Sequence, residues 1–438
     1  MLNRLIAGNV KVTGNRLTVN FNCEGQIKKF FTTNRFFAEY NSPIDNVPNA
    51  ILIIPFLATV APVAWANQAE IHVETVDENF LQSLETVKKS MQTFYPRLKL
   101  GGSVQAKNVV KLHVDSEHKG LMLFSGGADS LATYIRHRGE NLTLVHVYTD
   151  LAPKKQAERN GDIVHIREFC ARNNLPLRTI SSNFKFVPDG LMLSSYDKFI
   201  DEETDFNWWT RVMHGLALIG LSAPLAYTEK TEKLYIASSY TAEFVGGWGS
   251  HPDIDNNVKW AGIKVVHDGY DLSRQAKMNI IADYAKNNDK NFILRCCMKP
   301  ENGENCNRCE KCSRTIVGLE LAGLDPSKYG FKIETETFSS IKNKLEKGEW
   351  EFGDDQRFMW GDLKGHACQK NSVVHPEAKA FIEWLSTMNV NSFPSAIGKS
   401  KFDLKRYMWP LFECAPSSLR RILKKFYYFC LIVFPFMK

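Results

Sequence analysis

Between about residues 113 and 325, short apolar runs (GLMLF, LTLVHVY, LRTISSN and KLYIAS) alternate with helical stretches near 129–138, 155–173 and 208–227. Strands that are apolar at nearly every position are covered on both faces, so this alternation predicts an α/β fold with a doubly wound parallel sheet. Residues 1–112 follow a different rule. VKVTGNRLTVNF and IHVETV alternate apolar with polar positions, and ENFLQSLETVKKSMQTFY carries helical spacing. This predicts a β-rich accessory region with a small sheet and one helix, without visible chemistry. From 326 to 438 the chain is polar and aromatic, with one clear helix around PEAKAFIEWLSTM, and reads as a mostly helical extension. No internal repeat or low-complexity tract interrupts the three regions.

Two apolar runs need separate treatment. AILIIPFLATVAPVAWA at 50–66 contains Pro55 and Pro62, and FYYFCLIVFPFM at 426–437 is 12 residues long. A membrane span needs about 20 unbroken apolar residues, so both are read as buried helices or strands. The basic residues before the second run allow a membrane-surface contact, or docking on the fold or on a partner protein. The start, MLNRLIAGNVKVTGN, lacks the apolar core and cleavage site of a secretory signal, and a cytoplasmic protein is expected. With 44% hydrophobic and 24% charged residues over 438 positions, two or three globular domains are expected. The net charge of +7 favours an anionic ligand only weakly, and no basic, aromatic-interleaved segment calls for nucleic acid.

Candidate chemistry begins at LMLFSGGADSLATYIRH, residues 121–137, a strand that runs through two glycines into a helix. The first turn of a helix carries unpaired N–H groups and the positive end of the macrodipole, so an anion is the expected ligand. Gly126 and Gly127 let successive N–H groups turn to one point, and Ser125 and Ser130 add hydroxyls. The loop lacks the Lys of a Walker motif and the three spaced glycines of a dinucleotide fingerprint. Asp129 would repel a bare phosphate, so it is expected to hold the loop or a Mg²⁺ ion. A plain N-cap turn on a packed helix is the other reading.

Five of the ten cysteines fall between 296 and 312, and Cys297, Cys306, Cys309 and Cys312 are spaced C-x8-C-x2-C-x2-C. Four such thiolates can close a tetrahedral structural Zn²⁺ site, an expected zinc knuckle over 297–312. Disulfides fit a cytoplasmic chain poorly, and an iron–sulfur cluster is the rival. Cys296 is left as a spare or substitute ligand.

The strand–SGGADS–helix unit resembles the PP-loop of ATP pyrophosphatases, whose pattern is SGGxDS; it matches at Ser125, Gly126, Gly127, Asp129 and Ser130. That resemblance implies an adenine nucleotide alpha hydrolase-like core that cleaves ATP between its α and β phosphates and activates a substrate as its adenylate. The loop together with the cysteine quartet is similar to the 7-cyano-7-deazaguanine synthases, the QueC-like branch, over roughly residues 115–325. By the resemblance, Phe124, Ser125, Gly126, Gly127, Asp129 and Ser130 contact nucleotide, and Ser125, Asp129, Ser130 and Lys277 act in catalysis. FNWWTRVMHGLAL, SSYTAEFVGGWGSHPDID and SRQAKMNIIADYA resemble family segments and offer Arg211, Asp253 and Lys277 for contacts to nucleotide or substrate. Surface ion pairs are their plain alternative. The family's Tyr-Gly-Gln-Arg-His segment is replaced here by YTDLAPKKQAER, and both flanks are added. In these respects the chain resembles the longer QueC-like proteins of bacterial anti-phage operons, such as the QatC component of Qat systems.

The function this implies is an ATP-, Mg²⁺- and Zn²⁺-dependent enzyme that adenylates a deazapurine-type carboxylate and passes the acyl group to ammonia or to an amine, with an amine on a partner protein as a variant. No Ser-His-Asp arrangement is expected to operate. His214, His251 and His267 are open as general bases for the amine. A PP-loop enzyme thiolating or amidating RNA, and a non-catalytic nucleotide-binding scaffold, are the competing classes.

Overall fold

The computed structural model describes residues 3–149, 156–200, 208–244, 247–287, 292–297, 303–350, 352–369 and 373–394, with isolated positions beyond. Residues 150–155 of the YTDLAPKKQAER segment, and the apolar run 426–437 apart from Phe426 and Tyr427, lie outside them.

Among the described residues twelve strands are present: β1 Arg4–Ala7, β2 Lys11–Thr13, β3 Arg16–Glu24, β4 Arg35–Tyr40, β5 Glu70–Asp77, β6 Val104–Val110, β7 Lys119–Leu123, β8 Asn141–Thr149, β9 Leu177–Ser182, β10 Thr231–Ala237, β11 Lys259–Trp260 and β12 Ile263–Asp268. They form one sheet in the order β11-β12-β10-β7-β8-β9-β4-β3-β1-β5-β6, with β2 on β3. The run β12-β10-β7-β8-β9 is parallel throughout. From β7 the chain steps outward through β8 and β9, then crosses back to place β10 on the other side of β7. The carboxyl end of β7 is therefore a topological switch point, where an open α/β sheet offers a crevice to ligands. SGGADS starts there.

Side chains along these strands divide between two buried cores, as a pleat with period 2 requires. Leu121, Val145, Ile180 and Leu234 face one core, whereas Met122, Leu144 and Tyr235 face the other. Helices Ile54–Ala66 and His214–Thr228 cover the first side; Ala128–His137, Arg274–Asn287 and Glu310–Leu321 cover the second. The strand and helix pattern expected between 113 and 325 is present.

Strands before residue 112 do not stand apart as a small sheet. β4 pairs antiparallel with β9, matching Ala38 to Ser182, so the accessory strands extend the parallel half. Nothing in their alternation identifies a partner so distant in sequence. The apolar run 50–66 forms two helices, Asn49–Leu52 and Ile54–Ala66, and all 13 residues of the longer one are buried. Thr59 donates its hydroxyl to the Pro55 carbonyl at 2.8 Å, which satisfies the only side-chain hydroxyl in that helix. Among the described residues, no helix is long and apolar enough to cross a membrane.

After 326, the expected helix appears as Ala378–Thr387, joined by Thr337–Lys347 and Asp354–Ala367. Gly361 and Gly365 weaken the sequence signal of the second of these, which is held by burial of Met359, Trp360 and Leu363. These helices pack into the same core as Ala128–His137. Residues far from the loop in sequence therefore come to its side of the sheet.

The packing of Ile54–Ala66 on His214–Thr228 is close enough to test. A Cβ on Gly220 would stand 2.2 Å from the Ala58 Cβ. Gly220→Ala is expected to destabilise the fold by about 1–3 kcal/mol in urea unfolding, through overpacking. An unchanged midpoint would mean the two helices are not in contact.

Candidate functional site

The loop is built on a firm base. Phe124 is buried, its N–H donates to the Val145 carbonyl at 2.8 Å, and its ring stacks on Phe169 with centroids 5.1 Å apart. Gly126 then turns the chain at φ +73°, a conformation that costs a side chain strain, and its carbonyl accepts from the Arg295 N–H at 2.9 Å. Gly127 caps helix Ala128–His137 in extended conformation with no side-chain cap, and a Cβ there would meet the Arg295 carbonyl at 3.1 Å. The first-turn N–H groups at residues 128–130 have no carbonyls within the helix to bond.

The two serines brace the bend. Ser130 Oγ donates to the Gly127 carbonyl at 3.1 Å and accepts from the Ser125 N–H at 3.3 Å. Ser125 Oγ lies 3.2 Å from Ser130 Oγ and 3.4 Å from the Gly127 N–H that points to it. Both hydroxyls thus converge on the inside of the turn.

Asp129 Oδ1 accepts from Arg274 Nη1 at 2.9 Å and pairs with Lys277 Nζ at 3.4 Å. Its side chain is 26% exposed while those of Arg274 and Lys277 are 8% and 2% exposed. Burial pushes the Asp129 carboxyl up, but the charges of Arg274, Lys277 and Lys311 outweigh it and hold the group down to about 2. Lys277 also donates to the Ser238 carbonyl at 2.6 Å. Burial pulls its pKa down, opposed by Asp129. The carboxylate therefore ties helix Ala128–His137 to helix Arg274–Asn287.

The cysteine cluster adjoins this assembly. The Sγ atoms of Cys297, Cys306, Cys309 and Cys312 all lie within 4.8 Å of one another. Cys297 and Cys309 are 4.0 Å apart, and Cys306 and Cys312 are 3.9 Å apart. Tetrahedral Zn–S bonds of about 2.3 Å put sulfurs about 3.8 Å apart, so the quartet fits a metal ion such as zinc. Asn305 shapes the turn: its Oδ1 accepts from the N–H groups of Cys296 and Cys297 at 3.2 and 3.3 Å. Its Nδ2 donates to the carbonyls of Leu294 and Gly330 at 2.9 and 3.0 Å. Hydrogen bonding from Cys312 holds the Cys309 thiol down to about 4, aided by Cys306 and Cys297. A fifth sulfur, Cys296, is buried beside the quartet, 3.6 Å from the Lys311 carbonyl.

Asp129 of the loop and Cys309 of the cluster line one cleft of about 590 Å³, together with Arg274, Lys311, Arg314, Tyr240, Trp248 and Trp350. Asp129 and Lys277, both singled out from sequence, are brought together. Arg211 is buried; it donates through Nη1 to the Gly247 carbonyl, and its own carbonyl accepts from Tyr95 Oη at 2.6 Å. Its neighbour Thr210 lines the cleft. Asp253 stands elsewhere, with a side chain 71% exposed and His251 Nδ1 at 3.6 Å. Arg274, Lys311, Arg314 and Tyr240 were not singled out from sequence. Arg274 was legible in principle, because it lies three residues before Lys277 on one helix face.

No histidine is among the residues lining the cleft. Burial, with Lys185 and Lys311 nearby, drives His214 down to about 3, and its ring packs against Trp209 and Trp248. Burial also lowers His251, against the opposing charge of Asp253. His267 Nδ1 lies 2.8 Å from Asp255 Oδ2, and the Ser250 hydroxyl donates to that same oxygen at 2.6 Å. Serine and histidine therefore share one carboxylate oxygen, and the three form a buried polar cluster. Comparison with protein-family models and with curated proteins finds no match to the chain.

Two measurements follow from this geometry. The Asp129 carboxyl, held at about 2 in the fold against 3.8 when free, contributes about 2 kcal/mol of stability that is complete above pH 4 and lost as pH falls through 2. Urea unfolding of wild type and Asp129→Asn from pH 7 to 2 is expected to show their stability gap closing over the last two pH units; a constant gap would contradict the ion pairs. Metal analysis is expected to find about one zinc per chain, lost in Cys309→Ser, whereas iron with visible absorption would replace zinc in this account.

Proposed function

We propose that the chain is a PP-loop enzyme of the QueC-like kind: it adenylates a carboxylate with ATP, releases pyrophosphate and passes the acyl group to ammonia or an amine. The observation that carries this reading is the braced bend Ser125–Ser130 at the switch point, beside Arg274, Lys277 and Lys311. Bare backbone, converging hydroxyls and a surplus of positive charge suit a polyphosphate.

In this reading a carboxylate oxygen attacks the α-phosphorus, and the bridging oxygen leaves with pyrophosphate. The amine lone pair then attacks the acyl carbon, AMP departs as the C–O bond breaks, and the amine proton passes to solvent. The protein supplies no nucleophile. Its residues align the reactants and stabilise charge on the leaving group, and a well-aimed donor of this kind contributes about 3 kcal/mol. Mg²⁺, when bound, supplies further neutralisation of the phosphate oxygens. The cysteine quartet would keep a structural zinc ion, and through the Arg295 N–H it steadies the loop.

The deazapurine identity of the acid and a role in anti-phage defence rest on the resemblance of the sequence. So does the idea that the amine belongs to a partner protein. The separation of reading from rivals is experimental. Wild type incubated with ATP, 7-carboxy-7-deazaguanine and ammonia is expected to release AMP and pyrophosphate and give an amide by mass, or a nitrile where a second ATP adenylates the amide oxygen, which then leaves as AMP while the nitrogen gives up its protons to solvent. Ser125→Ala and Asp129→Ala are expected to lower that release by about a hundredfold or more while remaining folded. Wild-type turnover in both variants would remove the loop from the reaction; nucleotide binding without turnover would favour a scaffold.

A further inference from the structure

The charged residues about the cleft fall into two groups. Around Asp129, the cations Arg274, Lys277 and Lys311 leave an excess of positive charge. Arg314 sits among acids: its Nε is 3.2 Å from Glu310 Oε1, and Asp355 also acts on its charge. Glu310 is in turn fixed by the Trp360 Nε1–H at 2.9 Å.

Arg314 is 6% exposed and lines the cleft. Its Nη1 is buried with no hydrogen-bond partner among the described residues. An orphaned guanidinium N–H inside a protein is costly unless a ligand completes it. A polyphosphate would be repelled here by Glu310 and Asp355, whereas one carboxylate can accept two guanidinium N–H bonds and add a single charge. The adjoining walls are flat: Tyr240 stacks on Phe244 with centroids 4.2 Å apart, and Trp248 meets Tyr240 edge-on at 5.3 Å. Trp350 lines the same cleft.

We propose that Arg314 is the seat for the carboxylate of a planar aromatic acid, whose ring lies among Tyr240, Trp248 and Trp350. This deepens the adenylating reading and rests on it, by giving the acid a cation of its own in the cleft that Asp129 also lines. It also gives the C-terminal extension a task, because Trp350, Asp355 and Met359 belong to that cleft and to no part of the chain that resembles the synthases.

The test is calorimetry on the full chain with matched probes: 7-carboxy-7-deazaguanine against 7-deazaguanine, and indole-3-carboxylate against indole, with ATP titrated separately. Wild type is expected to prefer the acid, and Arg314→Gln to lose that preference by about tenfold to a hundredfold, the worth of a charged hydrogen bond. Arg314→Lys keeps a positive charge beside Glu310 and guards against misfolding; it is expected to retain part of the preference, while ATP affinity stays the same in both variants. Preference in the indole pair alone keeps the Arg314 seat and discards the deazapurine. Acid preference without ATP binding keeps the seat and discards adenylation. No acid preference in wild type with either pair, an unchanged preference in both variants, or loss of ATP affinity in Arg314→Gln and Arg314→Lys overturns the proposal.

Discussion

One carboxylate shared by two buried cations organises the site. Asp129 holds Arg274 and Lys277 at 2.9 and 3.4 Å, and without it two positive charges would face each other in a desolvated corner of the second core. Breaking such a buried pair costs more than the pair contributes, so the geometry is fixed by the penalty for leaving it. The first turn of helix Ala128–His137 is thereby anchored from one side. From the other side the Arg295 N–H holds the Gly126 carbonyl, and Arg295 lies two residues before the first cysteine of the quartet. Loop, ion pair and thiol cluster are one mechanical unit.

That unit depends on the sheet in a simple way. Because β8 and β10 lie on opposite sides of β7, the helices following these strands diverge, and the crevice between them opens where the loop emerges. The accessory strands lengthen the sheet beyond β9, and helix Ile54–Ala66 covers the first core. Neither reaches the cleft. The extension after 326 does, by packing helix Asp354–Ala367 against the second core and carrying Asp355 and Met359 to the opening. The two flanks thus differ in kind: one completes the scaffold, the other completes the site.

Much of this was legible from residue order. The alternation of GLMLF, LTLVHVY and KLYIAS with helices marked the parallel half, since strands covered on both faces must be apolar throughout. The cysteine spacing marked a cluster whose sulfurs do converge. What sequence could not show was long-range pairing. The match of Ala38 to Ser182, the approach of Trp360 to Glu310 and the placing of Arg314 beside Asp355 join segments with no shared periodicity. Arg211 and Asp253 illustrate the limit from the other direction: the sequence pointed to both, yet one is buried beside the cleft and the other is exposed near His251.

The central claim is that backbone N–H groups at the exit of β7 take the phosphates of ATP. A crystal structure with α,β-methylene-ATP, which resists cleavage at the relevant bond, tests it directly. The account predicts phosphate oxygens within hydrogen-bond distance of the N–H groups between Gly126 and Ser130, with the chain beyond toward Arg274 and Lys311. Nucleotide bound elsewhere, with the bend closed on its own serine hydroxyls, would contradict it.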